Sequence, residues 1–216
     1  RSGLVVVSSA LLVLPTYRAQ AEKIKIDETL IALSSEVMLA YVVTGNTTVD
    51  EVSAAGLEGL SRILQARTSV EPSVPLGVDL ESDELAFFPL LYWPITAEQV
   101  IPSGRAYSRL NTYLRSGGVI LFDTRDGDIA VSGNTLNSSL VELTRPLDIP
   151  RLEPVPIDHV LTRTFYLIKN FPGRYSNGKL WVQATGLHNS APELTALSRL
   201  NDGVTPILIG GNDWAG

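Results

Sequence analysis

The apolar positions of this chain fall into short unbroken runs, and the stretches between them carry either helical spacing or turn residues. Val37 to Thr44 (VMLAYVVT) is one such run, rich in β-branched and aromatic residues. A run of that length and makeup predicts a strand buried on both faces, as in a parallel sheet. Gly45 and Asn46 close it as a turn. Thr48, with Glu51 three residues on, has the capping-box spacing of a helix start. Val52, Ala55, Leu60, Ile63 and Leu64 then recur at helical intervals. Ser69 to Gly77 holds Pro72 and Pro75 and predicts a loop. Leu85 to Tyr92 (LAFFPLLY) predicts a second buried strand, in which Pro89 marks an edge, a bulge or an early end.

Ser103 is placed to cap the next helix, whose apolar stripe is Ala106, Leu110, Tyr113 and Leu114. Gly117 then sits where a left-handed C-terminal residue is wanted. Gly118 to Phe122 (GVILF) is the clearest strand on the chain, and Asp123 to Asp128 (DTRDGD) is the loop at its carboxyl end. Leu136 to Leu143 is expected to be helical. Pro146, Pro150, Pro154 and Pro156 break the chain after it, and Leu180 to Ala184 and Pro206 to Ile209 are expected to be strands.

Strand, helix, strand, helix, strand at this spacing implies parallel β-α-β units with right-handed crossovers, hence an α/β fold. In open sheets of this kind ligands bind outside the carboxyl ends of the strands. That rule points at the loops Gly45 to Asp50, Trp93 to Ser103 and Asp123 to Asp128.

Ahead of the domain, Leu4 to Leu14 (LVVVSSALLVL) is apolar apart from Ser8 and Ser9. It is too short to span a bilayer alone, which takes about 20 residues. It reads as a signal-peptide core, as the end of a transmembrane helix, or as a buried element of the fold. Tyr17 to Ser35 is polar and mixed, a linker or short helix. The expected organisation is therefore a membrane-type segment and linker over residues 1–35 and one α/β domain over 36–216.

Composition narrows the function. The 216 residues are 44% hydrophobic, which supports a sizeable core. A formal net charge of −6, with scattered basic residues, argues against a nucleic-acid partner. The absence of cysteine excludes disulfides, thiolate metal sites and any cysteine nucleophile. There is no phosphate loop, dinucleotide fingerprint, G-x-S-x-G elbow or H-E-x-x-H motif, and no cofactor is expected.

Three constellations remain. Asp123, Asp126 and Asp128 flank Arg125 at a strand end, where carboxylates can bind a hard cation or a ligand, or simply cap and solvate a loop. Asp158 and His159, with Arg163, Thr164 and Tyr166 nearby, combine a carboxylate with a group able to act as a base, or else form a capping pair. The aromatic residues Phe87, Phe88, Tyr92, Trp93, Phe165, Tyr166, Phe171, Tyr175 and Trp214 divide between core and surface. Phe87 and Phe88 are expected on opposite faces of their strand. Trp93 and Trp214, beside Pro94 and Asp213, are the surface candidates.

Several segments together carry a resemblance. They are FPLLYWP from Phe88, YLRSGGVILFDTRDGD from Tyr113, EPVPIDHVLTRTFYL from Glu153, FPGRY from Phe171 and GGNDW from Gly210. From about Leu39 to Gly216 the sequence resembles the bacterial family called domain of unknown function 4159, a domain that often follows an aerotolerance-regulator (Bat-type) membrane region. The resemblance implies a class I glutamine amidotransferase-like, flavodoxin-like three-layer fold with a mostly parallel sheet. It also implies a multi-pass or signal-bearing bacterial envelope protein, with the inner membrane as the expected location. The family transfers no catalytic residue, and without cysteine the amidotransferase reaction is excluded.

The expectation is a non-enzymatic cell-envelope module that binds a partner protein or small ligand at the strand carboxyl ends, exposed to the periplasm. Its candidate ligand residues are Asp123, Arg125, Asp126, Asp158, His159, Arg163, Asp213 and Trp214. The competing expectation is a metal-assisted hydrolase using Asp123, Asp126 and His159. The membrane is a partner through the lead segment or the parent protein.

Overall fold

A computed structural model describes residues 37–127, 138–163, 167–176, 178–184 and 205–216. The expectations for Leu4 to Leu14, Tyr17 to Ser35, Asp128, residues 136–137, Thr164, Phe165 and Tyr166 lie outside the described residues.

The strands are β1 (Leu39–Val42), β2 (Leu76–Val78), β3 (Leu90–Pro94), β4 (Val119–Asp123), β5 (Leu152–Pro154), β6 (Trp181–Gln183) and β7 (Ile207–Gly210). They form a seven-stranded sheet in the order β2-β1-β3-β4-β7-β6-β5. The first five in that order pair in parallel. β6 is antiparallel to both β7 and β5, so β5 runs in the same sense as β4. The fold is mixed α/β on a mostly parallel sheet.

Helix α1 (Thr47–Arg67) follows β1 and packs on β1, β2 and β3. Its N-cap is Asn46, whose side chain accepts the Val49 amide at 3.2 Å. Thr48, expected as the cap, lies inside the first turn instead. Thr44 explains the shift: its amide and hydroxyl both donate to Asp50 Oδ1, at 2.9 and 2.7 Å, which closes the turn one step earlier. The expected loop Ser69 to Gly77 ends by entering β2, a short strand that its two prolines hide from a periodicity argument.

The expected strand Leu85 to Tyr92 divides. Leu85–Phe87 is a 3-10 turn, and β3 begins only at Leu90, after Pro89. The proline, which has no amide to give a ladder, acts as the boundary. Phe87 and Phe88 therefore do not alternate across a strand. Phe88 is buried and Phe87 half-buried.

Helix α2 (Gly104–Arg115) joins β3 to β4. Ser103 caps it, accepting the Ala106 amide at 3.2 Å, and Gly117 terminates it at φ 101°. Helix α3 (Ser138–Thr144) packs beside α2, with the Tyr107 hydroxyl donating to the Leu143 carbonyl at 2.8 Å. A last short helix, α4 (Val160–Arg163), follows β5.

Side chains alternate across the sheet. Leu91, Trp93, Ile120 and Phe122 are sealed on one face, with the Trp93 and Phe122 ring centroids 5.2 Å apart. Trp93 is thus a core residue, contrary to its expected surface role. Tyr92 points to the other face, where it joins Leu39 and Leu57, and Trp214 and Ala215 pack against that cluster.

Candidate functional site

The parallel register aligns the carboxyl ends of the central strands: Pro94 pairs with Asp123, and Asp123 with Gly210. Asp123 is the last residue of β4 and is 0% exposed. A buried carboxylate requires donors for its lone pairs. Here Oδ2 accepts the Tyr92 hydroxyl and the Trp214 amide, both at 2.8 Å. Oδ1 accepts the amides of Arg125 at 3.0 Å and Asp213 at 3.2 Å. One side chain thereby binds together β3, the loop after β4 and the segment after β7. Burial raises the Asp123 carboxyl above its ordinary range, against the pull of the Trp214 amide, the Tyr92 hydroxyl and the Arg125 and Asp213 amides. Burial, then the charge of Asp123, pushes the Tyr92 hydroxyl well up, so that it stays protonated and donates.

Two of the four donors come from strained backbone. Arg125 has φ 55° and Asp213 φ 54°, the left-handed region that non-glycine residues rarely occupy. The same two residues carry buried polar atoms with no hydrogen-bond partner among the described residues, Arg125 Nε and Asp213 Oδ1, and Asn212 Oδ1 beside them is a third. Each such atom costs about 1–3 kcal/mol. Strain and unpaired polarity gathered at one strand edge are the usual mark of a site shaped for something other than stability.

The surroundings are polar and locally tied. The Thr124 hydroxyl donates to Asp126 Oδ1 at 2.6 Å, and Asp126 is exposed. The Gly127 amide donates to the Gly211 carbonyl at 2.8 Å. Segment Phe171 to Ser176 lies over Asn212 and Asp213. Asn212 Nδ2 donates to the Phe171 carbonyl at 3.1 Å, the Tyr175 amide donates to the Asn212 carbonyl at 3.0 Å, and Arg174 pairs with Asp213 at 3.2 Å.

Of the expected site residues, Asp123, Arg125, Asp126, Asp213 and Trp214 come together here. Asp123 is the organiser of the face, since all four of its bonds are internal. The Trp214 indole is half-buried against the Leu39, Leu57 and Tyr92 cluster, so this residue contributes chiefly its amide.

Asp158, His159 and Arg163 form a separate group around α4. Pro154, Trp181, Ile209 and Phe122 share one row across the sheet, so β5 lies three strand spacings from β4, about 14 Å. His159 Nδ1 accepts the Leu161 amide at 3.2 Å, which makes it a cap for the short helix. Burial lowers its pKa, against the charges of Asp158 and Glu153. Asp158 is exposed, and Arg163 Nε donates to the Ile157 carbonyl at 3.3 Å. Among the described residues no three His, Asp or Glu side chains are grouped to hold a metal ion.

Sequence reasoning passed over four participants. Tyr92 was visible only as an aromatic in a strand, Thr124 only as a residue between two acids, and Arg174 and Asn212 only within resembling segments. Which face of β3 meets the final loop depends on long-range topology, which the sequence pattern does not carry.

With this geometry in hand, comparison with known proteins gives one family. The model for the domain of unknown function DUF4159 matches residues 38–216. The chain belongs to that family. A search of the curated proteins returns no match.

Proposed function

We propose that this DUF4159 domain is a non-enzymatic module of the bacterial cell envelope, which binds a partner protein or a small ligand at the carboxyl ends of β4 and β7. In this reading the fold is flavodoxin-like, akin to class I glutamine amidotransferases. The order β2-β1-β3-β4-β7 of the parallel strands supports it, since it runs as the doubly wound 2-1-3-4-5 order does. The domain belongs to a longer inner-membrane protein of the aerotolerance-regulator type and faces the periplasm. No cofactor is invoked.

The observation that carries the binding face is the coincidence, around Asp123, of two left-handed non-glycine residues with three unpaired buried polar atoms. A binding role is favoured over catalysis by what the edge lacks among the described residues. There is no cysteine in the sequence, Asp123 is fully engaged, and His159 is occupied in capping α4.

Amide chemical-shift mapping with a library of small polar fragments tests this. Binders should perturb Arg125, Asp126, Gly127 and Asp213, and Asp126→Ala should abolish the perturbation while the fold persists. Binders that map elsewhere, or a turnover that disappears in His159→Ala, would contradict the reading.

A further inference from the structure

Two buried carboxylates meet at this edge, and they are provided for very differently. Asp123 accepts from four donors. Asp213, only 5% exposed, has a single partner among the described residues: Arg174 Nη1, 3.2 Å from Oδ2. Its Oδ1 has none. Gly216 lies against the Asp213 carboxylate without donating to it. The Gly216 amide turns instead to the Asp213 carbonyl at 3.3 Å, and a Cβ on Gly216 would overlap both carboxylate oxygens. A buried carboxylate left so short of donors costs stability. Asp213 is also held in the left-handed region, at φ 54°. A residue kept at both costs points to a use other than stability.

Arg174 is a removable partner. Its side chain is 57% exposed. The segment that carries it is tied down by other bonds: Asn212 Nδ2 donates to the Phe171 and Pro172 carbonyls at 3.1 and 3.3 Å, and the Tyr175 amide to the Asn212 carbonyl at 3.0 Å. The guanidinium can therefore swing into water while the segment stays in place. A planar guanidinium offers two parallel N–H groups that match both oxygens of a carboxylate. Arg174 engages only Oδ2. The edge holds three carboxylates, Asp123, Asp126 and Asp213, against Arg125 and Arg174, so the departure of Arg174 leaves a surplus of negative charge for an incoming cation.

We infer that Asp213 is the receptor for a guanidinium group, and that Arg174 occupies it as an internal stand-in until a ligand's guanidinium displaces it. That group comes from an arginine side chain of a partner protein or from a small guanidino compound. The inference rests on the binding role proposed for this edge and gives that role a ligand class.

Amide chemical-shift titration of the full chain at low salt tests it, with ethylguanidinium chloride as the probe and sodium chloride as the blank. Ethylguanidinium should shift the Arg174, Asp213 and Trp214 amides saturably. Arg174→Gln should bind it about tenfold more tightly, because the internal competitor is gone, and Asp213→Asn should not bind it. Free arginine and the capped peptide acetyl-Gly-Arg-Gly-amide separate the two sources, and the tighter binder names the source. Weaker or unchanged binding by Arg174→Gln would overturn the inference, even if Asp213→Asn fails to fold. So would inorganic phosphate that shifts the same amides more than ethylguanidinium does, since Arg125 Nε is an unpaired donor on this edge. If ethylguanidinium moves none of these amides while polar fragments still move Arg125, Asp126 and Gly127, the binding face stands and this ligand class fails.

Discussion

At the scale of single residues, Asp123 sets the energetics of the edge. Asp123→Asn keeps the shape but turns an amide group toward donors, which leaves at least one buried N–H unpaired. A loss of about 3 kcal/mol in urea unfolding is expected. Tyr92→Phe removes one donor to the same carboxylate and should cost less, about 1.5–3 kcal/mol. In the double variant the two losses should fall short of additive, because they share a bond. His159 makes a pH-dependent contribution of defined sign. Its folded pKa lies below the ordinary histidine value of 6.5, so the unfolded chain takes up the proton first. Stability should therefore fall as pH drops from about 6.5 toward the folded pKa, and His159→Gln should flatten that part of the profile in thermal unfolding. These roles were half legible in the sequence. The carboxylates and His159 stood out as titratable residues near turns. What they bond to did not, because three of the four donors to Asp123 come from residues 31, 90 and 91 positions away.

At the scale of elements, local chemistry was readable, and so were the strands β4, β6 and β7, expected within a residue or so of their ends, whereas prolines hid β2 and the start of β3. Ser103 and Gly117 announced the two ends of α2, and Ser103→Ala should cost about 1 kcal/mol. Asn46 won the other cap from Thr48 because Asp50 folds back on Thr44, a contact that propensity does not weigh. Helix α1 offers a test of close approach. A Cβ on Gly56 would come within 2.5 Å of the Ala215 backbone. Gly56→Ala should then destabilise the protein, although alanine is favoured over glycine in a helix by about 1 kcal/mol. A more stable variant would mean that the segment after β7 yields readily to α1.

At the scale of the molecule, the parallel half was predictable because buried β-branched runs alternated with helical spacing. The antiparallel addition of β6 and β5 was not. A strand was expected at Leu180 to Ala184, where β6 lies, but β5, three residues beside Pro150 and Pro156 and ending in Pro154, leaves no period to read, and the antiparallel neighbours of both are fixed only by tertiary pairing. That addition matters, since it sets His159 and Arg163 apart from Asp123. Among the described residues no helix is long and apolar enough to cross a membrane. The proposed periplasmic exposure makes its own forecast: protease added to intact spheroplasts should cut the domain, and full protection would refute that placement.

The central claim is that one buried carboxylate organises the loops after β4 and β7 into a single face. Native-state hydrogen exchange at the amides of Arg125, Asp213 and Trp214 tests it most directly. In the wild type these three should be protected, and in Asp123→Asn they should lose protection together while amides within β3 and β4 keep theirs. Three amides that exchange freely in the wild type, or that are unaffected by the substitution, would contradict the account.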